Sequence, residues 1–359
     1  MRNPVKAARG SIPRPAPAFR LGAGVAAVGL LISGGLAACS SSGSGAGSSP
    51  SAGTSAAAGA TDQANVSSVT LNIGDQAGSG SEALLTAAGL INKLPFKAHW
   101  ADFTSGPPML QAMAAGSIDV GGVGDAPPVF AAASGGQIAV VSALQTDIDS
   151  AAILVPKNSP ITSVAQLKGK KIAVAQGSSA NYQLLAALTK AGLTMKEVTP
   201  DYLQPADAEA AFASGHVDAW AVWTPYIELA EAQDHARIIA NNAGLPLTYS
   251  FEVASRAALS NPQKSAAIQD YLKLLDQAYK WSATHQSTWA ATWAKATGLP
   301  ESVMLQAVKD DTDVPTAITP TVITSEQGVA NAFSNSGLIP AKIDFSNFAV
   351  TTYNSILGG

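Results

Sequence analysis

Two stretches of this chain, ninety-nine residues apart, follow one pattern, and no other feature restricts the fold as much. The first is Ala112-Met113-Ala114-Ala115-Gly116-Ser117-Ile118-Asp119, running on to Val123-Gly124-Asp125. The second is Ala211-Phe212-Ala213-Ser214-Gly215-His216-Val217-Asp218, running on to Val222-Trp223-Thr224. Each reads as a helix end, a Gly stop, a turn Asp, a short apolar strand and the start of a new helix. Such a duplication predicts two similar α/β lobes, each offering strand ends and helix starts to a shared cleft.

The rest of the chain fits that division. Short apolar segments at 69–73, 98–103, 118–123, 138–143, 171–175, 198–203 and 217–222 read as strands between helical stretches. That alternation marks a largely parallel sheet. Residues 74–80 are expected to form a Gly-rich loop, with a helix starting near Ser81. Helices are expected at 180–191, 262–285, 301–309 and 325–335, and a strand at 249–254. Residues 69–148 with 250–359 are assigned to lobe 1 and 149–249 to lobe 2. The two crossings, near 145–152 and 244–250, then make a hinge.

The N-terminus reads as an address. Residues 1–38 hold five of the 21 Lys and Arg residues and none of the 25 acidic ones. An apolar run from Leu21 follows, ending in Leu36-Ala37-Ala38-Cys39. That is a signal peptide closing in a lipobox, with Cys39 as the lipidated residue. The alternative, a membrane span, needs about 20 apolar residues, and this run is short and rich in Gly and Ala. Cys39 is the only cysteine, so once it is acylated the chain has no thiol for a disulfide or a nucleophile. Residues 39–68 are mostly Ser, Gly, Ala and Thr and are expected to be a flexible tether. Removing 1–38 takes the formal net charge from −4 to −9. A domain this acidic and without basic clusters is a poor nucleic-acid binder.

Four loops at strand C-termini are candidates for chemistry. Gly177-Ser178-Ser179 stands at a helix start, where unpaired N–H groups and the helix dipole suit an oxyanion. Ser178 and Ser179 either add hydroxyl donors to that set or only cap the helix. Asp125, in Gly124-Asp125-Ala126-Pro127-Pro128, is an N-cap; bordering the cleft, it would also disfavour dianions or attract an amine. Gly106-Pro107 lets backbone approach the cleft, or serves helix-start packing. Gln76 offers both donor and acceptor, or is an ordinary solvated residue. Trp223 stands where the other copy has Gly124, as an apolar wall or as core. Trp220, Trp289 and Trp293 are expected in the core. Asp119 and Asp218 lie at their strands' starts, about 15 Å from the cleft ends, and are expected to cap the preceding turns rather than touch ligand. His99, His216, His235 and His285 show no metal-ligand spacing, and no nucleophile elbow or phosphate loop appears, so neither cofactor, metal nor catalytic group is expected. None of the four loops contains Arg or Lys.

At these loops the chain resembles the solute-binding lipoproteins of ABC importers for aliphatic sulfonates, within the nitrate, sulfonate and taurine group. The matching runs are Ser105-Gly106-Pro107-Pro108-Met109-Leu110, Gly116-Ser117-Ile118-Asp119-Val120-Gly121 and Gly124-Asp125-Ala126-Pro127-Pro128-Val129-Phe130. In the second lobe they are Gln176-Gly177-Ser178-Ser179, Tyr202-Leu203-Gln204-Pro205-Ala206-Asp207-Ala208 and Val217-Asp218-Ala219-Trp220-Ala221-Val222-Trp223. The resemblance implies a two-lobed type II periplasmic-binding fold. It implies a monomeric, non-enzymatic receptor that is extracytoplasmic, held by lipid on Cys39 at the outer face of the cell membrane or in the periplasm. The partners implied are a small anionic organosulfur ligand and a permease with its ATPase. By motif, the ligand residues implied are Gln76, Gly106, Pro107, Gly124, Ser178, Ser179 and Trp223, with Asp125 beside them. Asp75 and Ala77 flank Gln76, where sulfonate-branch relatives often have an aromatic before and a basic residue after. Ligand breadth therefore stays open: taurine, nitrate, an aromatic sulfonate or a thiamine-precursor pyrimidine are the alternatives within this class. An exported hydrolase on the same scaffold is the alternative from another class.

Overall fold

The computed structural model describes residues 65–76, 80–340 and 342–357. The signal peptide, Cys39, most of the tether and residues 77–79 of the first loop lie outside the described residues. The tether's expected end at residue 68 is too late: Val66 is buried, and its carbonyl accepts from Val69 N at 2.9 Å.

The chain runs β1 (Thr70–Gln76), α1 (Ser81–Ala87), β2 (Lys97–Phe103), α2 (Gly106–Ala114), β3 (Val120–Val123), α3 (Ala126–Ala133) and β4 (Ile138–Gln145). It crosses to β5 (Ala151–Val155), β6 (Lys171–Val174), α4 (Ser179–Lys190), β7 (Thr199–Tyr202), α5 (Pro205–Ala213), β8 (Ala219–Trp223), α6 (Tyr226–Asp234) and β9 (Arg237–Ala240). It then returns through β10 (Tyr249–Ser255), α7 (Arg256–Ser260), α8 (Pro262–Ser282), α9 (Gln286–Thr297), α10 (Glu301–Asp310), β11 (Val314–Thr316) and α11 (Pro320–Ser336).

Two sheets result, with one topology. The first is ordered β11-β4-β10-β3-β1-β2, the second β7-β6-β8-β5-β9. In each, the first strand lies between the second and the third, parallel to both, and the strand arriving from the other lobe is inserted antiparallel. The inserted strands are β10 (Phe251 opposite Val123) and β5 (Ile153 opposite Ala221). Parallel neighbours need crossover helices, so both sheets are covered on their faces; the interior strands β3, β4, β5 and β8 are almost wholly apolar and buried, while the edge strands β2 and β7 are exposed or half-buried.

The duplicated aspartates have a clear use. Asn72 N donates to Asp119 Oδ2 at 2.9 Å, and Lys171 N donates to Asp218 Oδ2 at 2.8 Å. In return Asp119 N donates to Asn72 O and Asp218 N to Lys171 O, both at 2.8 Å. The expectation that they cap their own turns is corrected: each clamps the start of the neighbouring first strand, at the edge away from the cleft. Lys264 completes the first copy, its Nζ 2.7 Å from Asp119 Oδ1.

The expected loop at 74–80 is corrected too. Gly74, Asp75 and Gln76 continue β1, paired with Ala101, Asp102 and Phe103. Gly and Asp disfavour strands, but a Cβ at Gly74 would meet Met109 at 2.7 Å, so packing of α2 on the sheet selects Gly there. Helix α11 begins five residues before its expected start, at Pro320, with the Thr319 hydroxyl accepting from Val322 N.

One apolar cluster, with Val140, Phe251, Ile172, Leu184 and Phe333 among its members, runs through both lobes. Phe333 of α11 meets Phe130 of α3 at 4.9 Å and Tyr182 of α4 at 6.0 Å between ring centroids. A second cluster fills the space between the first sheet and α1, α8, α9 and α10, with Trp289 and Trp293 stacked at 4.9 Å. A third, around Trp220 and Phe212, lies under α5 and α6. Trp220, Trp289 and Trp293 are therefore core residues, as expected.

Candidate functional site

Because both sheets point strand C-termini inward, the helix starts that follow those strands meet across one cavity. Its volume is about 100 Å³. Gln76, Gly106, Gly124, Asp125, Ser178, Ser179 and Trp223 all line it. Pro107 does not; it is half-buried in the first turn of α2, beside Pro108.

The start of α4 is the strongest anion-binding element of the wall. Ser178 is its N-cap, accepting from Asn181 N at 3.3 Å while its hydroxyl donates to Ala175 O at 2.7 Å. The Ser178 proton is thus committed to the protein. Ser179 and Ala180 occupy the first two helical positions, whose N–H groups have no intrahelical acceptor. The helices facing it differ: α3 has prolines at its second and third positions and α2 likewise, and prolines carry no N–H. Donors are therefore concentrated on one side of the cleft.

Asp125 caps α3 through Ala126 N at 2.7 Å and is 4% exposed. Burial pushes its carboxyl up to about 7, against hydrogen bonds from Ser179, Ala126 and Thr248 that pull it down. Behind it Glu326 of α11 is fully buried with both carboxyl oxygens unpartnered, and burial and Asp125 together hold it well above the usual range. Gln76, buried at the end of β1, donates from Nε2 to Gly122 O at 2.8 Å. Trp223 is half-buried and meets Tyr226 edge-on at 6.0 Å. Among the described residues lining the cavity there is no Lys, Arg or His.

The lobes touch across this cavity. A Cβ on Gly124 would fall 1.8 Å from Ser179 Oγ, so only Gly allows the end of β3 to reach the start of α4. Gln204 Oε1, at the start of α5, accepts from Thr104 Oγ1 at 2.9 Å and from Ser105 Oγ at 2.7 Å. The only sequence signal for the Gln204 latch is its place after β7, a strand end like the other four. Equally faint in the sequence are Glu252, Tyr279, Asp311 and Asp313, which line the cavity from lobe 1. A lone Glu inside the apolar strand Tyr249–Ser255 is the available clue.

Among the described residues no cluster of His, Cys, Asp or Glu could hold a metal ion, and no helix is long and apolar enough to cross a membrane.

Comparison with known proteins gives a consistent picture. Residues 92–298 match the family described as "ABC transporter, phosphonate, periplasmic substrate-binding protein". A protein of Escherichia coli (strain K12) named for binding aliphatic sulfonates is 39% identical over 279 residues, 76% of this chain and 86% of that one. The alkanesulfonate-binding protein of Xanthomonas axonopodis pv. citri, solved bound to MOPS, is 35% identical with a TM-score of 0.75, covering 79% of this chain and 99% of that one. The fold alone is shared more widely: a desulfurization enzyme only 14% identical aligns with a TM-score of 0.59, covering 80% of this chain and 97% of that one.

Proposed function

The chain belongs to the periplasmic substrate-binding proteins of ABC transporters, and from that premise we propose that it captures an aliphatic sulfonate in its interlobe cavity and delivers it to an importer. The start of α4 carries the reading. A sulfonate is a fixed monoanion with acceptors only, and here it meets backbone N–H groups, the Ser179 hydroxyl once it turns from Asp125 to the ligand, and a helix dipole equivalent to about half a positive charge. Among the described residues no cationic side chain lines the cavity to hold a second negative charge, and Asp125 opposes one. The site favours monoanions over sulfate for that reason. Trp223, with Leu245 and Pro246, supplies apolar surface for a carbon chain.

In this reading Gln76, Gly106, Gly124, Asp125, Ser179 and Trp223 touch the ligand. Ser178 fixes the helix start, and Pro107 fixes that of α2. The protein is a non-enzymatic, monomeric receptor, carried outside the cytoplasm by its signal peptide and tethered by lipid on Cys39.

Isothermal calorimetry with alkanesulfonates, taurine, nitrate and sulfate tests the reading. Micromolar or tighter binding of a sulfonate with none of sulfate is the expected result. Binding of nitrate with no response to any sulfonate would overturn it. Mass spectrometry of the membrane fraction tests the anchor: an acylated N-terminal Cys39 is expected, and a mature chain starting elsewhere refutes it.

A further inference from the structure

The cavity has a second end, of opposite character to the start of α4. Inside lobe 1 it is lined by Glu252 of β10, Tyr279 of α8, and Asp311 and Asp313 of the link between α10 and β11. Glu252 is 1% exposed; neither of its carboxyl oxygens has a partner at full hydrogen-bond geometry, and the Tyr271 phenol beside it only partly offsets its burial. Asp311 and Asp313 are half-buried where they line the cavity. Burial pushes Glu252 up to about 8 and Asp311 to about 7, and holds Asp313 well above the usual range. Burial also holds the Tyr279 phenol above its usual value, and Asp313 and Glu252 raise it further.

A plain alkyl tail in this arm would strip water from the half-buried Asp311 and Asp313 and leave the already dry Glu252 without an opposite charge. The neighbouring void, shared by Leu144, Glu252 and Tyr279, is about 10 Å³, space for no more than a single water. A protonated amine brings three N–H donors and the charge that three carboxyls lack. It would also restore their ionised form, since an adjacent cation lowers a carboxyl pKa.

We propose that the preferred ligand is a zwitterion, an aminoalkanesulfonate with its sulfonate at the start of α4 and its protonated amine among Glu252, Asp311 and Asp313. This rests on the sulfonate reading of the α4 end and adds the class of tail. The two ends divide the recognition: a helix start without cationic side chains takes the anion, and a carboxyl cluster takes the cation.

Calorimetry on the full chain decides it, with 1-propanesulfonate and 3-aminopropanesulfonate as a matched pair. The amine-bearing ligand is expected to bind at least about tenfold tighter, a preference typical of a buried charge pair. Glu252→Gln and Asp313→Asn are each expected to shrink the affinity ratio between the two ligands toward one, with circular dichroism confirming the fold. Should either variant fail to fold, the matched pair on the native protein is decisive by itself. Equal or tighter binding of 1-propanesulfonate overturns this inference and leaves the sulfonate reading standing. An unchanged ratio in folded variants overturns the assignment of these carboxyls. Binding of neither ligand overturns both readings together.

Discussion

Replacing Gly124 by Ala isolates lobe closure from every other contribution to binding. The new Cβ would sit 1.8 Å from Ser179 Oγ and 3.1 Å from Ser179 Cβ. A rotamer change can carry the hydroxyl away, but the Cβ–Cβ approach stays tighter than ordinary contact, so the lobes must stop short of their present separation. Gly124 is not among the positive-φ glycines, so Ala fits its backbone and the separate lobes lose nothing. Overpacking of this size costs about 1–3 kcal/mol, which appears as a Kd raised about 5- to 150-fold. The ligand-free melting midpoint should move little. Adding Ser179→Gly removes both clashing atoms and should recover most of the loss, short of the roughly 1 kcal/mol that the hydroxyl contributes. Titration calorimetry on the two single variants and the double variant gives the coupling. A Gly124→Ala protein that binds within twofold of the native chain refutes the closure argument, as does a double variant no better than Gly124→Ala alone.

Four further outcomes separate the roles of the remaining residues. Ser178→Ala should lower stability by about 1 kcal/mol in a melt, as loss of an N-cap does, whereas Ser179→Ala should weaken sulfonate binding by about 0.5–1.5 kcal/mol with little change in melting. Asp125, near 7 in the free protein, is pushed higher by an anion beside it; binding then takes up a proton above pH 7, affinity falls as pH rises by up to about tenfold per unit, and Asp125→Asn flattens the profile. Trp223→Ala should weaken long-chain alkanesulfonates more than methanesulfonate, and equal losses would refute the apolar wall. Glu326, raised well above its unfolded value, lets stability fall as pH climbs from about 4.5 through its folded pKa, so Glu326→Gln should raise the melting midpoint at pH 8 and leave it nearly unchanged at pH 4.

What the sequence disclosed was local. A Gly stop, a turn Asp and an apolar run identify a strand wherever they occur, and the 99-residue offset places Asp119 and Asp218 on equivalent amides of Asn72 and Lys171. Helix starts were equally legible, because Ser178, Asp125 and the proline pairs act on neighbours within one turn. The Gln204 latch was not, since its partners Thr104 and Ser105 lie about a hundred residues away and neither has a pattern that names Gln204. The acidic arm was hidden for the same reason: Glu252, Tyr279 and Asp313 come from three elements, and only the antiparallel insertion of β10 brings them to one space.

The same distinction explains why a duplicated scaffold yields an unsymmetrical site. Residues that build the repeat act within their own lobe, so both copies keep Asp119 and Asp218 in one role. Residues at the cleft act across it, and there each copy faces the other copy's parts rather than its own. Gly124 is small because Ser179 of the opposite lobe needs the space. Its counterpart Trp223 packs edge-on against Tyr226 of its own lobe and lines the cavity wall. Divergence between copies at the cleft is therefore forced by packing once the lobes close, and an asymmetric ligand with one anionic end fits a site whose helix-start amides are concentrated at α4.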